Sequence, residues 1–451
     1  MAITSYDVNN LVWRYLSESG FQHSAFLFRS ESLIDEPDSA NPIVPDSLIT
    51  ILQKAILYMK LEKIVKVAKR DENNELHSQI NELEKHFPTL AEPPPRIPTP
   101  RQPISLAVTP EVAQILHGHQ LCVFGCSWSP DGTLLATASA DGTSIIWTMN
   151  NDKPVSRKIL GAIPAVLNTD HGITTIDWNS SGTLFATGSF DTFVKIYHSD
   201  GNLYASLNGH THSVFVVRFN PSGKYIVTCS ADHTAILWSV HPPQILHVFN
   251  HHTDTILDVS WKDNSIFATA SADTTIGICN VSGADHFLRG HTGHVTAVAW
   301  SNDGEMLASA SEDQTVRIWQ DNRETLVLSA HKTGVSCIKW LPKSDHFLVS
   351  ASQDGTVCVW DANQGTLIHL IEGFSKDVIS LAVSPCGQYI AFSGVGVTIQ
   401  VAKALTGEKI AVITGTTPIY EIQWDPSGRY LAICFDDSTV AVLQSAIYLN
   451  P

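Results

Sequence analysis

A unit of about 40 residues recurs along this chain from residue 106 to residue 449. Its best-preserved copy reads GHTGHVTAVAWSNDGEMLASASEDQTVRIW, at residues 290–319. Within each unit, short runs alternate apolar and polar residues as β-strands do, and phrases such as PDG, PSG and NDG between the runs favour turns. One bulky residue marks the same place in every unit, with spacings of 50, 41, 42, 39, 40, 43 and 41 residues, at Trp128, Trp178, Phe219, Trp261, Trp300, Trp340, Val383 and Trp424. The chain is therefore predicted to repeat one small strand-rich unit eight times.

The GH near the start and the IW at the end of these units resemble the signatures of the WD40 family. Membership implies a β-propeller, in which four-stranded blades stand in a ring. We expect an all-β propeller over residues 106–451 with eight blades; seven is the alternative, because the last two units are the least regular. The segment Val112–Leu116 matches outer strands of other units, so we predict that it completes the blade formed by residues 419–443. Such a pairing would join the two ends of the ring and remove a free sheet edge.

Histidine, serine, aspartate and tryptophan recur at fixed places in four of the units. A Ser–His–Asp set could suggest a hydrolase, but a nucleophile site is normally single, whereas this set is repeated. The WD40 resemblance implies a structural tetrad, in which Asp accepts from His, His contacts Ser, and Ser contacts the Trp N–H. A buried polar group without a partner costs roughly 1–3 kcal/mol, so such a network would support the fold. The predicted members are His119, Ser139, Asp141, Trp147, His210, Ser230, Asp232, Trp238, His291, Ser311, Asp313, Trp319, His331, Ser352, Asp354 and Trp360.

The N-terminal part lacks this repeat and is predicted to be helical. An apolar stripe with helical spacing ends at Gly20 and is followed by a second, shorter apolar face. Two helices of this size bury too little surface alone, so we expect them to pair with a second copy; the alternative is a hairpin that packs on its own chain. The phrase LVWRYLSESGFQHSAFLFRSES resembles the LisH dimerisation motif, which implies a dimerisation module over residues 1–35. Its apolar residues are Val8, Leu11, Val12, Tyr15, Leu16, Phe21, Ala25 and Phe28.

Two further segments separate this module from the repeats. Residues 36–87 contain the apolar-rich stretch DSLITILQKAILYMKLEKIV, which predicts a helical extension for oligomerisation or partner binding. Seven prolines from Pro88 to Pro103 predict an extended, semi-rigid linker over residues 88–105, since proline fixes φ and removes a donor. The expected fold class is multidomain: a small all-α LisH-type oligomerisation module followed by the all-β propeller.

The order of LisH motif, helix, proline linker and WD-type units is similar to that of transducin-beta-like subunits of histone deacetylase corepressor complexes, including fungal counterparts. The phrases YLSESGFQHSAF and DWNSSGTLFATGSFDTF carry this similarity. The resemblance implies a nuclear, non-enzymatic scaffold in transcriptional repression, with histone deacetylase and corepressor proteins, and histone tails, as partners. One alternative is a substrate receptor or adaptor of a ubiquitin ligase, although Trp360-Asp361 is followed by Ala362-Asn363 and not by the Arg of the receptor signature W-D-x-R. Another is a regulator of microtubule motors, which would be expected to carry a sustained coiled coil.

A partner surface is expected where the innermost strands open at one end of the ring, at the mouth of the central channel. Internal alignment places there the residues six and four positions before each marker, and the residue before each turn Asp; in the seventh unit these are Asp377, Ile379 and Gly394. Aromatic residues beside acids would suit a Lys/Arg-rich segment such as a histone tail, through apolar anchoring and cation–π contact. The alternative is that these rings only fill the mouth. The predicted binding residues are Phe124, Phe190, Phe215, Glu312, Asp377, Tyr420 and Asp436.

Charge and composition argue against several other kinds of site. The chain carries 28 basic and 44 acidic residues, a net charge of −16, so direct binding to nucleic acid or to an anionic membrane is not expected. No run of about 18 apolar residues predicts a membrane-spanning helix. The eight cysteines are scattered without a CxxC pair, and histidines such as His247 and His251 lack the spacing of a metal site. No cofactor, metal or catalytic residue is therefore expected.

Overall fold

A computed structural model describes residues 103–150, 153–161 and 171–449. The predicted LisH-type module (1–35) with its oligomerisation residues, the helical extension (36–87) and most of the linker (88–105) lie outside these residues. The described part forms 33 strands in eight sheets, and one short helix, α1 (Ala446–Leu449). No helix in this part has the length and apolar character needed to cross a bilayer.

The strands follow the sequence repeat, one sheet to each blade. Two strands come first, β1 (Ile104–Ala107) and β2 (Ala113–His117). Blades 1 to 4 then comprise β3 (Val123–Trp128), β4 (Leu134–Ser139), β5 (Ser144–Asn150), β6 (Lys153–Leu160); β7 (Ile173–Trp178), β8 (Leu184–Ser189), β9 (Val194–His198), β10 (Leu203–Leu207); β11 (Val214–Phe219), β12 (Tyr225–Ser230), β13 (Ala235–Ser239), β14 (Gln244–Phe249); and β15 (Ile256–Trp261), β16 (Ile266–Ser271), β17 (Ile276–Asn280), β18 (Asp285–Leu288). Blades 5 to 8 comprise β19 (Val295–Trp300), β20 (Met306–Ser311), β21 (Val316–Gln320), β22 (Arg323–Leu328); β23 (Val335–Trp340), β24 (Phe347–Ser352), β25 (Thr356–Asp361), β26 (Thr366–Glu372); β27 (Val378–Val383), β28 (Tyr389–Gly394), β29 (Thr398–Lys403), β30 (Lys409–Thr414); and β31 (Ile419–Trp424), β32 (Tyr430–Phe435), β33 (Thr439–Gln444).

The first strand of each blade lines the centre of the ring. The strands β3, β7, β11, β15, β19, β23, β27 and β31 contact one another in this order, and β31 contacts β3. Each of them ends on the marker residue of its repeat, from Trp128 in β3 to Trp424 in β31. The prediction of eight blades is confirmed, and the alternative of seven is wrong.

The ring closes through β2, as the sequence predicts. This strand pairs antiparallel with β33, from Ala113 opposite Leu443 to His117 opposite Thr439, and forms the outer strand of blade 8. Its position is one residue later than the predicted segment. Leu116 is 2% exposed and packs in an apolar cluster that joins blade 8 to blade 1. The closure therefore combines main-chain pairing with burial of apolar surface.

The strand β1 corrects the predicted boundary of the linker. It pairs in parallel with β30, from Ile104 opposite Ala411 to Ala107 opposite Thr414, and gives blade 7 a fifth strand. Ile104 packs against the apolar core of blades 7 and 8. The propeller thus begins inside the range 88–105. A four-residue alternation directly after a proline-rich run is too short to distinguish a strand from a linker by periodicity.

The core consists of the apolar layers between adjacent blades. The second strand of each blade is buried on both faces; in β20 all six residues are buried. Small side chains such as Ala308 and Ala310 recur in these strands and allow the adjacent sheets to approach. Each blade is thus held by packing against its two neighbours.

Candidate partner-binding face at the channel mouth

A buried polar network holds the turn next to the mouth in blades 1, 3, 5 and 6, which we call the complete blades. In blade 5, His291 Nδ1 lies 2.8 Å from Asp313 Oδ2, and His291 Nε2 lies 2.7 Å from the hydroxyl of Ser309. The indole N–H of Trp319 donates to the same hydroxyl at 2.8 Å. Because Ser309 is fully buried, this hydroxyl is out of contact with solvent. The repeated His, Asp and Trp residues are therefore joined as predicted.

The hydroxyl in this network, however, is not the predicted one. Ser311 lies two residues further along the strand, where its Oγ accepts from the Asp313 N–H at 3.1 Å and donates to the Gly293 carbonyl at 3.1 Å. Residues two apart on a strand share one face, so the repeat pattern does not distinguish a hydroxyl opposite the Trp from one beside the turn. The same turn-capping position is taken by each of the predicted serines, Ser139, Ser230, Ser311 and Ser352.

Blades 1, 3 and 6 repeat the network with the hydroxyl at the earlier position. Their indole N–H groups donate to that hydroxyl at 3.0, 2.9 and 2.8 Å. In blade 6 the acid is more distant: His331 Nδ1 lies 3.5 Å from Asp354 Oδ2 and 3.1 Å from the hydroxyl of Thr356. The three sets are His119–Thr137–Asp141–Trp147, His210–Thr228–Asp232–Trp238 and His331–Ser350–Asp354–Trp360.

The protonation states of the His and the Asp determine which group donates in each hydrogen bond of the network. Burial lowers the pKa of His291 more than Asp313 raises it, so the imidazole is neutral near pH 7. Burial alone would raise the pKa of Asp313, but hydrogen bonds from Thr315, His291 and a backbone N–H hold it at about 2. Trp319 N–H then donates to Ser309, the Ser309 O–H to His291 Nε2, and the His291 Nδ1–H to Asp313. These protons are all committed to neighbours within the network, as a structural role requires.

Backbone hydrogen bonds locate the mouth position in each blade. The N–H of the residue before the turn donates to the carbonyl of the residue six positions before the marker; Phe190 reaches Gly172 at 2.9 Å in this way. In blade 7 the same bond runs from Val395 to Asp377, at 2.9 Å. The expected residue Gly394 is therefore wrong by one position, because the turn after it lacks the usual Asp. The residues at this position are Ala140, Phe190, Ala231, Ala272, Glu312, Gln353, Val395 and Asp436.

The four predicted aromatic residues form a continuous series across blades 8, 1, 2 and 3. The ring centroids of Tyr420 and Phe124 lie 5.5 Å apart, those of Phe124 and Phe190 6.1 Å, and those of Phe190 and Phe215 6.3 Å, with interplanar angles of 87°, 89° and 88°. Such edge-to-face packing is a favoured arrangement of aromatic rings. The Tyr420 hydroxyl donates to Asp436 Oδ1 at 3.1 Å. The structure thus brings five of the predicted binding residues together.

The other two predicted residues lie elsewhere on the rim. Glu312 is exposed on blade 5, with Oε2 at 3.2 Å from His294 Nδ1. Asp377 is exposed on blade 7, directly before β27. Two apolar neighbours of Asp377 also lie at the rim. The internal alignment placed Ile379 there but did not choose it as a binding residue, and it is 40% exposed; the alignment missed Val395, which is 55% exposed. A register based on strand ends, and not on the turn Asp, would have placed Val395 at the mouth.

Below the mouth, carboxylates on the innermost strands join one blade to the next. Asp177 Oδ2 accepts from the Phe219 N–H at 2.8 Å, and Glu421 Oε2 accepts from the Cys126 N–H at 2.9 Å. These N–H groups lie at the channel edge of their sheets, where no further strand pairs with them. Burial raises the pKa of both carboxyls, to about 6 for Asp177, and the positive charge of Arg218 offsets this only in part. Near pH 7 the structure therefore bears the free-energy cost of a desolvated Asp177 carboxylate.

Replacing Asp177 by Asn is expected to stabilise the protein at pH 8, by about 1–3 kcal/mol. The amide oxygen still accepts from Phe219 N–H, while the desolvated charge is removed. Since the pKa of Asp177 is higher in the folded state than in the unfolded one, the native protein gains stability at this group as the pH falls from 8 through about 6. Urea unfolding at pH 8 and pH 5 measures the free energy of unfolding of the parent and the variant. The extra stability of the variant should be smaller at pH 5 than at pH 8. Asp254→Asn, at an exposed acid, is the control; an Asp177→Asn protein less stable than the parent at pH 8 would contradict the prediction.

Comparison with known families matches both parts of the chain. The family model for the WD domain, G-beta repeat, matches residues 110–148, 164–198, 201–239, 243–280, 284–320, 322–361 and 407–442, and the LisH model matches residues 7–32. The seven WD matches leave out residues 362–406, which contain three strands of blade 7. This blade is thus formed despite a sequence that departs from the family pattern.

Relatives extend over nearly the whole chain. The F-box-like/WD repeat-containing protein TBL1X of Mus musculus is 31% identical, with 98% of this chain and 99% of its own length aligned. The WD40 repeat-containing protein HOS15 of Arabidopsis thaliana is 35% identical over 79% of this chain and 61% of its own. The crystal structure of the C-terminal WD40 domain of Sif2 covers 74% of this chain and 99% of its own, with a TM-score of 0.64 and 20% identity, which supports the fold alone. The chain therefore belongs to the WD-repeat family, among the LisH-containing proteins related to transducin-beta-like TBL1X.

Proposed function

We propose that this protein is a non-enzymatic scaffold subunit of a histone deacetylase corepressor complex and acts in the nucleus. The observation that carries the proposal is the shared layout, a LisH segment and an eight-bladed propeller aligned with 99% of the mouse TBL1X chain. The repeated networks support a non-enzymatic role, because their hydroxyls are buried and bonded in four blades. A ring of this kind offers partner surfaces without a reacting group.

The mouth of the channel is the proposed contact for a basic partner segment such as a histone tail. Its aromatic series offers apolar surface from Tyr420 to Phe215, and Asp436 supplies a carboxylate at one end of this series. A lysine or arginine side chain can place its alkyl stem on such rings and its charge against the acid. The net charge of −16 attracts basic segments over longer distances.

Basic histone-tail peptides titrated into the full chain are expected to bind, and Phe215→Ala or Asp436→Asn should weaken binding about tenfold. The first change removes one ring of the series, and the second removes the charge beside Tyr420. Leu370→Ser, on the outer strand of blade 6, is the control and should leave the affinity unchanged. Equal affinities for the parent and both mouth variants would exclude this surface as the binding site.

The N-terminal module is proposed to hold copies of the chain together and to bind a corepressor segment. Leu16→Ala, at the apolar stripe, is expected to shift the full chain from oligomer to monomer at micromolar concentration, because two short helices bury too little surface alone. Light scattering measures the mass, and the thermal unfolding of the propeller should be unchanged. Ser17→Ala is the control, next to the stripe and outside it. A parent chain that is monomeric at tens of micromolar would contradict the proposal.

Affinity purification from the source cells, followed by mass spectrometry, tests the proposed complex. Recovery of a histone deacetylase with a corepressor supports it. The second candidate function, an adaptor or receptor subunit of a ubiquitin ligase, is favoured by the words "F-box-like" in the name of TBL1X. Recovery of cullin subunits without a deacetylase would establish that alternative in place of the first.

A further inference from the structure

The rim of the mouth has two chemically different sides. Blades 5 and 6 present polar groups: the exposed ion pair of His294 with Glu312, and Gln353 at the mouth position of blade 6. Blades 7, 8, 1, 2 and 3 contribute fifteen rim positions, three to a blade, and most of these carry apolar side chains. We define the apolar crescent as the six largest apolar side chains among them, each of which is exposed or half-buried, namely Val395, Ile379, Tyr420, Phe124, Phe190 and Phe215.

Blade 7 supplies the most exposed end of this crescent. Its turn has Gly396, with φ of 153°, in the place of the Asp that the complete blades use to bind the His, and it contains no polar network of that kind. Val395 is 55% exposed and Ile379 40%, whereas the mouth position carries Ala140, fully buried, in blade 1. Two aliphatic side chains at the rim of a channel raise the free energy of the unbound protein, since their burial by a partner would be favourable.

Acids flank this end of the crescent. Asp377 lies two residues before Ile379, and its carbonyl accepts from the Val395 N–H. Asp436 holds the Tyr420 hydroxyl with Oδ1, which leaves the second carboxylate oxygen for another donor. A cation on this part of the rim could therefore contact the carboxylates of Asp377 on blade 7 and Asp436 on blade 8. These acids belong to the same surface as the aliphatic side chains of blade 7.

We propose that the mouth selects a peptide in which a bulky aliphatic residue stands beside a lysine or arginine, with the aliphatic side chain on Ile379 and Val395 and the cation at Asp377 and Asp436. This inference rests on the proposed role of the mouth and narrows it, because a purely basic tail would leave the aliphatic end of the crescent uncovered. The remaining rings, from Tyr420 to Phe215, receive the rest of the segment. Apolar burial adds an affinity component that salt does not screen.

Two synthetic peptides of equal length and equal lysine content test this, one with leucines between the lysines and one with serines. Titrated into the full chain, the leucine peptide is expected to bind about tenfold more tightly and to lose less affinity as salt is raised. Ile379→Ser and Val395→Ser should each remove most of the difference in affinity between the leucine peptide and the serine peptide. Neither substitution should change the affinity of the serine peptide. Leu370→Ser is again the matched control, an aliphatic residue 42% exposed on the outer strand of blade 6.

Thiol labelling shows where the peptide lies. Cys122 is half-buried at the mouth, where its carbonyl accepts from the Ala140 N–H, and Cys386 is exposed in the turn between β27 and β28, at the opposite end of the blade. The leucine peptide should slow maleimide modification of Cys122 and leave that of Cys386 unchanged. Equal affinities of the two peptides, with no effect of Val395→Ser, would overturn the inference and leave the basic-segment proposal standing. Failure of both peptides to bind would overturn both.

Discussion

A chain shortened to residues 119–451 is expected to lose the cooperative thermal unfolding transition that a chain of residues 109–451 retains. The shorter chain lacks β2, so β33 keeps an unpaired edge and blade 8 has three strands in place of four. It also loses Leu116, which packs between blades 8 and 1. Of the strands in the described part of the chain, the longer version lacks β1 alone, and blade 7 without it still has four strands. The difference isolates the contribution of ring closure.

Calorimetry or circular dichroism measures the transition, and a common midpoint for the two shortened chains would contradict the prediction. The contributions of β2 and β1 can also be compared within the full chain, by replacing one leucine of each strand with alanine. Leu116→Ala should lower the free energy of unfolding by about 2–5 kcal/mol, since it leaves a cavity in a seam where this side chain is buried. Leu106→Ala, in the half-buried β1, should cost less than about half of that.

The sequence predicts the ring and its closure because both depend on features that recur. Eight markers set the number of innermost strands, and the likeness of Val112–Leu116 to outer strands elsewhere identifies the closing strand. β1 could not be found in this way, because it has no counterpart in the other blades. Its parallel pairing with β30 depends on where the linker leaves the ring, which is a property of the assembled fold.

The binding face shows the same division between recurring and local features. The aromatic residues at the mouth are visible by alignment, because each strand brings its residues to the rim in the same register. The alignment could not place Val395 at the mouth, because Gly396 replaces the turn Asp by which the units are aligned. The sequence could not identify the tetrad hydroxyl for another reason. Thr228 and Ser230 lie on one face of β12, and only the position of Trp238 on β13 determines which of their hydroxyls bonds the indole N–H. A one-dimensional pattern contains no such cross-strand distance.

Thr228→Val is expected to lower the free energy of unfolding by about 2–5 kcal/mol, and Thr269→Val by about half as much. Valine keeps the shape of threonine but has no hydroxyl. In blade 3 the change leaves two buried groups without a partner, His210 Nε2 and Trp238 Nε1, whose present distances to the hydroxyl are 2.7 and 2.9 Å. In blade 4 the Thr269 hydroxyl bonds His252 at 2.9 Å and lies 3.5 Å from the Gly277 carbonyl, but it has no indole partner, because Cys279 stands where blades 1, 3, 5 and 6 have Trp.

The two positions form a matched pair, since they occupy the same register of the second strand and are both fully buried. Urea unfolding of the full chain gives the two differences, and their ratio reports how many buried partners each hydroxyl serves. Equal losses would mean that the indole N–H of Trp238 contributes nothing through this bond. A negligible loss at both sites would show that the repeated His, Asp and Trp residues are retained for something other than stability, and would reopen the question of chemistry at these positions.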